Sequence, residues 1–395
     1  MSNATRLVRR AGRACAATLA LALPLFGGTI AHADQTLLTI DVPSSGNIDI
    51  TQPVLSNQVR TLRANVLLPD GYDPDVAYPV LYLLHGISDD YRAWADHTRG
   101  DVRRTLDGLP AIVVMPEGGR GFYLNWLYRQ GRDWERYYFE ELIPEVERRF
   151  RILPGRRHHT IAGASMGGYG ALRLASQMPG YFGTAISMSG FLEVGEADAS
   201  PITNFMLGGP FTVLLGPRGG GYARGHELRE LRENLRHTRV LITVGNGSMD
   251  PAARDPLYSA LFLGNTERFL ERHSVSIRRS LALAGVPVSF KRQSGLHSWW
   301  YWRRDLRNAL QTWGVFGEPA ASPGDRWTYR TVAERGRAWD LGFRFAEAPA
   351  SPVVLRRAGP VLEGEGTGTV AITTADGCVF TAELPFSRSL PCASG

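Results

Sequence analysis

The pentapeptide Gly-Ala-Ser-Met-Gly at 163–167 constrains this chain more than any other feature. It follows an apolar run at 159–162 and precedes a stretch with a helical pattern at 168–178. A Gly-x-Ser-x-Gly turn between a strand and a helix is typical of a nucleophile elbow, which exposes its serine hydroxyl above the start of the helix. Small residues are needed there because bulky side chains would collide. The pattern predicts that Ser165 is the nucleophile of an acyl-transfer reaction.

The first 33 residues have the composition of a secretory signal peptide. Four arginines precede an apolar stretch at about 16–26, and an Ala-His-Ala site follows at 31–33. The apolar stretch is shorter than the roughly 20 residues that a transmembrane helix needs, so we expect no transmembrane segment. The Ala-His-Ala site predicts cleavage near Ala33. The protein is then secreted or associated with the cell wall. Loss of four arginines and no acid lowers the formal charge from +6 to +2, which does not indicate a nucleic-acid partner.

Two cysteines, Cys378 and Cys392, follow the signal peptide. In an oxidising compartment they can form a disulfide, which would stabilise the segment by about 3 kcal/mol through loop closure. Two free buried thiols are the alternative, because spacing alone does not establish the geometry.

Apolar, β-rich runs recur along the chain, and helical patterns separate the later ones. This alternation predicts an α/β fold with a mostly parallel sheet that is covered on both faces. Only turn-like residues separate the first two runs, which are therefore expected to be antiparallel. The runs lie near 36–41, 61–68, 79–84, 111–115, 159–163, 184–189, 239–245 and 287–292, and helices are predicted at 133–150, after Ser165, at about 256–284 and at 299–314.

The composition divides the chain into a signal peptide at 1–33, a catalytic region at 34–318 and a C-terminal accessory region at 325–395. A linker rich in Pro, Ala and Gly lies between the last two, and short alternating segments after it predict a small all-β domain. An insertion at 201–225 is rich in Gly and apolar residues. It is expected to form a lid, a lipid-contacting wall or ordinary irregular core.

A serine hydroxyl is a weak nucleophile, so it needs a histidine base and an acid that orients the histidine. In α/β-hydrolases the three residues follow in the order Ser, acid, His. His297 directly follows the last predicted strand of the sheet and is the expected base. By position alone, Asp250 and Asp255 are the candidates for the acid, because both follow the predicted strand 239–245.

Four motifs resemble the esterase D superfamily of α/β-hydrolases: Leu-Leu-His-Gly-Ile at 83–87, the Gly pair with its aromatic residues at 118–126, the elbow, and Gly-Asn-Gly at 245–247. Within it, Phe-Leu-Glu at 269–271 and Gly-x-His-Ser-Trp-x-Tyr-Trp at 295–302 look most like the antigen 85 mycolyltransferases. The likeness covers roughly residues 40–314. It implies an α/β-hydrolase fold without cofactor or metal and Glu271 as the acid, with Asp250 in reserve.

Ester chemistry also needs two N–H donors for the oxyanion. Met166 supplies one because it follows the nucleophile, and the resemblance places the other at Ile87. Antigen 85 enzymes have an aspartate and an arginine tied to sugar binding where this chain has His85 and Ser88. His85 is therefore expected to position the oxyanion loop. The candidates for substrate binding are His85, Trp126 and Trp299.

These observations predict a secreted serine acyl-transfer enzyme that acts through an acyl-enzyme on acyl sugars of the cell envelope, with Ser165, Glu271 and His297 as its triad. His85 and the missing arginine favour an alternative, a general carboxylesterase for short-chain or feruloyl-type esters. A non-catalytic envelope binding protein is the hypothesis from another class. Contact of residues 325–395 with cell-wall polysaccharide is a further hypothesis.

Overall fold

The computed structural model describes residues 35–48, 59–128, 133–195, 211–253 and 256–391. The predicted signal peptide, Asp255 and Cys392 lie outside these residues. Cys378 is disulfide-bonded, and its pairing with Cys392 stays a prediction.

A mixed sheet of eight strands forms the centre of the region before the linker, in the order β1-β2-β4-β3-β5-β6-β7-β8. The first two strands are antiparallel to each other, as predicted, and β2 is antiparallel to β4, whereas the remaining pairs are parallel. The strands are β1 Leu37–Ile48, β2 Val59–Leu67, β3 Val80–Leu84, β4 Ile112–Pro116, β5 His159–Ala164, β6 Thr184–Met188, β7 Arg239–Gly245 and β8 Val288–Gln293.

Helices connect most of these strands. The longest, α7 (Leu257–Leu283), has Ala284 as its C-cap, and the next residue, Gly285, adopts the left-handed conformation (φ 76°) that commonly terminates a helix. The helices are α1 Val102–Thr105, α2 Trp134–Tyr137, α3 Ile143–Arg149, α4 Met166–Gln177, α5 Thr212–Leu215, α6 Gly221–Arg224, α7 Leu257–Leu283 and α8 Trp299–Asn308, with π-helical turns at Tyr138–Leu142 and Ala309–Trp313 and 3₁₀ turns at Arg156–His158, Arg232–Leu235 and Pro251–Ala253.

Side chains of the central strands are buried on both faces of the sheet. Val80, Tyr82 and Leu84 of β3 pack in one core, which α4 and α7 cover, whereas Leu81 and Leu83 pack in a second core beneath α1 and α8. Burial on both faces explains why these strands read as continuous apolar runs in the sequence.

Beyond the linker, two antiparallel sheets of four strands enclose a third core. Burial alternates along β9, where Trp327, Tyr329 and Thr331 face inward, as expected for strands with one face in a core. The sheet orders are β10-β11-β14-β15 and β16-β13-β12-β9. The strands are β9 Arg326–Thr331, β10 Arg335–Ala338, β11 Leu341–Phe345, β12 Val353–Ala358, β13 Val361–Glu365, β14 Thr369–Thr373, β15 Val379–Glu383 and β16 Phe386–Ser389.

The predicted fold class, a mostly parallel α/β sheet with a small C-terminal all-β region, is confirmed. The division of the chain at 318–325 stays a prediction, because the described residues from Gln35 onward form one compact unit. In the insertion, residues 211–225 are described, and there Phe211, Leu214 and Leu215 are buried in the first core. The described part of the insertion therefore contributes to the core, and it contains the short helices α5 and α6.

Candidate active site

Ser165 lies in the sharp turn between β5 and α4, with φ 56° and ψ −119°. Such a backbone is costly for a residue with a side chain and is typical of functional sites. Glycine is required on both sides of this turn. A Cβ on Gly163 would lie 2.3 Å from the carbonyl oxygen of Gly167, and one on Gly167 would lie 2.6 Å from that of Leu84. Close packing of the backbone therefore accounts for the motif.

His297 follows β8 and reaches the serine from across the sheet. Its Nε2 lies 2.9 Å from Ser165 Oγ, which is hydrogen-bond distance. The imidazole packs edge-on against Trp302, with ring centroids 5.0 Å apart, and its side chain is 14% exposed. Because the carboxyl ends of parallel strands meet at one edge of the sheet, two residues 132 positions apart come together there.

The carboxylate beside His297 belongs to Glu267 on α7. Its Oε2 lies 2.9 Å from His297 Nδ1, and its side chain is 1% exposed. The other oxygen, Oε1, accepts a hydrogen bond from the N–H of Gly245 and another from Ser189 Oγ, both at 2.6 Å. These two donors fix the carboxylate, which in turn holds the imidazole with Nε2 toward the serine.

The structure corrects the predicted acid from Glu271 to Glu267. Glu271 lies one helical turn further along α7 and forms an ion pair with Arg292 of β8. The reserve candidate, Asp250, accepts a hydrogen bond from Ser294 Oγ at 3.2 Å and pairs with Arg304 at 3.3 Å. Both carboxylates are engaged elsewhere, whereas Glu267 faces the imidazole.

Both residues predicted to supply the oxyanion donors, Met166 and Ile87, line the same cavity as Ser165. Met166 is the first residue of α4, so its N–H has no acceptor within the helix. Ile87 follows Gly86, and a Cβ on Gly86 would lie 3.6 Å from Ser165 Cβ, so the loop after β3 passes close to the nucleophile. This placement is compatible with the predicted role of both N–H groups.

His85 and Trp126, which the sequence suggested for substrate binding, are both buried. Neither is among the described residues that line the cavity beside Ser165. The ring of His85 bonds to Gly86 O through Nδ1 at 2.7 Å and accepts the N–H of Gly118 at Nε2 at 2.9 Å. It therefore connects the loop after β3 to the loop after β4. Trp126 donates its indole N–H to Gly121 O at 3.1 Å. Both side chains make hydrogen bonds to the backbone, and their role in substrate binding stays a prediction.

An apolar cavity of about 640 Å³ opens beside Ser165, and the predicted Trp299 lines it. Burial raises the pKa of Asp89 in its wall, although the ion pair of Asp89 with Arg99, at 3.1 Å, opposes this shift. Such a cavity holds an apolar chain better than a sugar. Its lining consists of Gly86, Ile87, Ser88, Asp89, Phe122, Ser165, Met166, Phe191, Leu261, Phe262, Leu263, Asn265, Thr266, Phe269, Leu270, His297, Ser298, Trp299 and Trp302.

Candidate metal sites and membrane-spanning helices are absent from the described ranges 35–48, 59–128, 133–195, 211–253 and 256–391. Within those ranges, no group of three or more His, Cys, Asp or Glu side chains is placed to hold a metal ion. None of the helices in the same ranges is both long enough and apolar enough to cross a bilayer.

Residue Glu267 was missed from the sequence although a signal for it exists. Gly264 and Glu267 lie three residues apart on one face of α7. A Cβ on Gly264 would lie 2.7 Å from the carbonyl oxygen of Gly247, so the helix touches the end of β7 there. The glycines at 245, 247 and 264 mark this contact, and the glutamate one turn later faces the same way.

Known proteins share both the sequence and the fold of this region. A family model described as "Putative esterase" matches residues 57–313. An esterase of Mycobacterium tuberculosis is 41% identical over 130 residues, which cover 32% of this chain and 28% of the relative, so the chain spans less than a third of that protein. The diacylglycerol acyltransferase/mycolyltransferase Ag85C of Mycobacterium leprae is 28% identical over 251 residues, covering 57% of this chain and 71% of the relative.

Among solved structures, Mycobacterium tuberculosis MPT51 superposes with a TM-score of 0.53 at 24% identity, covering 71% of this chain and 98% of the other. The fluorophosphonate-binding serine hydrolase FphF of Staphylococcus aureus gives a TM-score of 0.56 at 21% identity, with coverages of 72% and 99%. At this identity the two structures show the fold alone. Because the family model covers more than half of the residues, this chain belongs to that esterase family and has its α/β-hydrolase fold.

Proposed function

We propose that this protein is a secreted serine acyl-transfer enzyme that acts on long-chain acyl esters of the cell envelope. The observation that carries the proposal is the hydrogen-bonded series of Ser165, His297 and Glu267, with 2.9 Å between the donor and acceptor atoms of each pair. Ser165 and His297 also line an apolar cavity. Nucleophile, base and orienting acid at such distances are the requirement for covalent acyl transfer.

The reaction follows from the placement of these groups. Ser165 Oγ attacks the ester carbonyl carbon while its proton passes to His297 Nε2, and the N–H groups of Met166 and Ile87 stabilise the oxyanion. The imidazolium, held by Glu267, then protonates the leaving alcohol as the C–O bond breaks. An acyl-enzyme remains. In the second half, His297 takes a proton from water or from an acceptor hydroxyl, which attacks the acyl carbon and releases Ser165.

Two observations support a long acyl chain. The cavity is lined by large apolar side chains, including Phe122, Phe191 and Phe269. Among the relatives are mycolyltransferases that align over more than half of this chain. The predicted signal peptide at 1–33 adds the proposal that the enzyme is exported, where envelope acyl sugars are available.

A general carboxylesterase for short-chain or feruloyl-type esters is the second candidate. It is favoured by His85, which stands where antigen 85 enzymes have a sugar-binding aspartate and is here buried against Gly86 and Gly118. A non-catalytic binding protein is the third, and the intact hydrogen-bonded set of Ser165, His297 and Glu267 argues against it.

A fluorophosphonate probe tests the nucleophile first. Wild-type protein should be labelled on Ser165, and Ser165→Ala, which removes only one oxygen, should not. Transfer of the acyl group of trehalose monomycolate to a sugar is then compared with hydrolysis of p-nitrophenyl butyrate and palmitate. Hydrolysis of butyrate alone would replace the envelope acyltransferase with the short-chain esterase. Folded wild-type protein that stays unlabelled would favour the binding protein.

A further inference from the structure

A second groove, of about 720 Å³, runs along one face of α7. One wall comes from the helix, where Arg272, Ser276, Arg279 and Leu283 recur at spacings of three and four and therefore share a face. The other wall comes from the segment 229–233 that leads into a 3₁₀ turn. The full lining is Arg229, Arg232, Glu233, Glu271, Arg272, Val275, Ser276, Arg279, Ser280, Leu283 and Ala284.

Positive charge dominates this groove, which contains four arginines and two glutamates. Both glutamates pair with arginines outside the lining: Glu271 with Arg292, and Glu233 with Arg236 at 3.2 Å. They therefore form no ion pair with the four arginines of this first cavity.

Of the four arginines in the first cavity, one forms an ion pair with a carboxylate among the described residues. Arg229 pairs with Glu193, but in the described part of the chain no carboxylate pairs with Arg232, Arg272 or Arg279. The guanidinium of Arg272 lies over the ring of Phe269, 5.5 Å from its centroid, which fixes the side chain without removing its charge.

The basic lining continues onto the C-terminal sheets. A smaller cavity of about 290 Å³ shares Glu233 with the first groove. Its arginines include Arg326 of the β-rich region, for which the described residues give no carboxylate partner, and three that do have one: Arg236 pairs with Glu233, Arg356 with Glu365 and Arg357 with Asp340. We call the two cavities together the arginine groove. It joins the hydrolase region to the β-rich region, and the proposed esterase chemistry does not use it.

We propose that the arginine groove binds a soluble polymer that carries successive phosphate groups, such as a chain of phosphodiester-linked units. A guanidinium binds phosphate through two parallel N–H donors, and this chain has 43 arginines and one lysine among its 44 basic residues. Arg272 and Arg279 lie seven residues apart on the helix, or about 10 Å, which suits repeated anionic groups better than a single ion.

The groove is bounded by two walls, α7 and the segment 229–233, so an extended polymer that lies along it can contact both. Val275 and Leu283 supply apolar contacts for the carbon spacers between phosphates. With a formal charge of only +2 after removal of the predicted leader, the protein as a whole would not attract polyanions strongly.

Titration calorimetry with inorganic polyphosphate tests the proposal on the full chain. We expect binding to the wild type that weakens with salt, and about tenfold or more weaker binding by the double variant Arg272→Ser, Arg279→Ser. The slope of log Kd against log salt should fall by about one for each arginine removed. Arg279→Ser alone, at an exposed position, should weaken binding by about threefold or more and serves if the double variant does not fold.

The matched control removes the same charge from α1 through Arg103→Ser, Arg104→Ser, two exposed positions outside the groove. Equal weakening by this control would mean non-specific attraction and would overturn the proposal. Equally tight binding of polyglutamate would reject phosphate as the recognised group. Binding of phosphatidylglycerol vesicles without binding of polyphosphate would assign the groove to a lipid surface instead.

Discussion

Glu267 and Glu271 lie one turn apart on α7 and have opposite surroundings. Glu267 is buried and holds His297, whereas Glu271 pairs with Arg292 beside the arginine groove. Glu267→Gln keeps the shape of the side chain but removes the charge that stabilises the imidazolium. We expect kcat for p-nitrophenyl butyrate to fall about 10²- to 10⁴-fold.

Glu271→Gln is the matched control for this substitution, because it makes the same chemical change on the same helix. Its kcat should stay within about twofold of the wild type, since surface ion pairs contribute little. A large loss in Glu271→Gln with a nearly normal Glu267→Gln would restore the acid that the sequence suggested.

The acid that the family resemblance suggested, Glu271, lies one helical turn from Glu267, the carboxylate that contacts His297. Residues four apart on a helix share a face, so periodicity cannot distinguish Glu267 from Glu271. The choice depends on where α7 meets the end of β7, which Gly264 and Gly247 determine through their close contact. Ser165 and His297 were easier to find because a local motif surrounds each of them.

A substitution at Gly167 tests how tightly the elbow is packed. A Cβ at this position would lie 2.6 Å from Leu84 O and 2.7 Å from His85 O, and backbone atoms cannot move aside easily. Gly167→Ala should lower the free energy of unfolding by about 1–3 kcal/mol, measured by urea denaturation.

The esterase activity of Gly167→Ala should fall together with its stability, because the added methyl group pushes the elbow away from the loop after β3. Gly342→Ala is the control, since a Cβ there meets its nearest atom at 3.5 Å, an ordinary contact. Unchanged stability in both variants would contradict the packing argument.

At the scale of elements, strands and long helices were predictable and interruptions were not. The helix predicted at 256–284 is α7, Leu257–Leu283, and the strand predicted at 239–245 is β7, Arg239–Gly245. The helix predicted at 133–150 is instead divided by a π-helical turn, Tyr138–Leu142. This turn accompanies the burial of Tyr138, whose hydroxyl bonds to Glu117 O at 2.9 Å, a tertiary contact that periodicity does not contain.

The 3₁₀ turn Arg232–Leu235 connects α4 to β9 through one side chain, Asn234. Its amide donates to Ser176 O at 2.9 Å and to Arg330 O at 2.8 Å, and its oxygen accepts the N–H of Arg330 at 2.9 Å. Asn234→Ala removes all three hydrogen bonds and leaves Arg330 O with only the longer bond from Gln177 Nε2, at 3.4 Å. We expect a loss of about 2–4 kcal/mol, seen as a lower urea midpoint at an unchanged m value.

Asn308→Ala, at a half-buried position on α8, is the control for this substitution and should cost less than about 1 kcal/mol. Equal effects of the two substitutions would show that Asn234 does not connect the two elements as its hydrogen bonds indicate.

For the molecule as a whole, the sequence predicted a linker and a β-rich region but not how the latter packs. The contacts between the β-rich region and the hydrolase region join residues that are far apart in the chain. Tyr329, for example, donates its hydroxyl hydrogen to Gln177 O at 3.0 Å. Arg156 lies over the ring of Trp339 at 4.9 Å, and a Cβ on Gly225 would overlap Val332. The sequence pattern of neither region predicts which residues of the other it contacts, because the two contact surfaces exist only after both regions have folded.

These shared contacts predict that the two regions unfold together. Tyr329 and Thr331 lose their buried hydrogen bonds to Gln177 if either region opens, so partial unfolding carries a cost in both. Scanning calorimetry should show one transition with equal calorimetric and van't Hoff enthalpies. Cleavage at a protease site introduced into the exposed residues 320–322 should leave two fragments that coelute in size-exclusion chromatography, with the uncut protein as control. Two transitions, or fragments that separate, would mean that the β-rich region is an independent domain on a flexible tether. In that case the arginine groove would lose its continuity, since one of its cavities takes its lining from both regions.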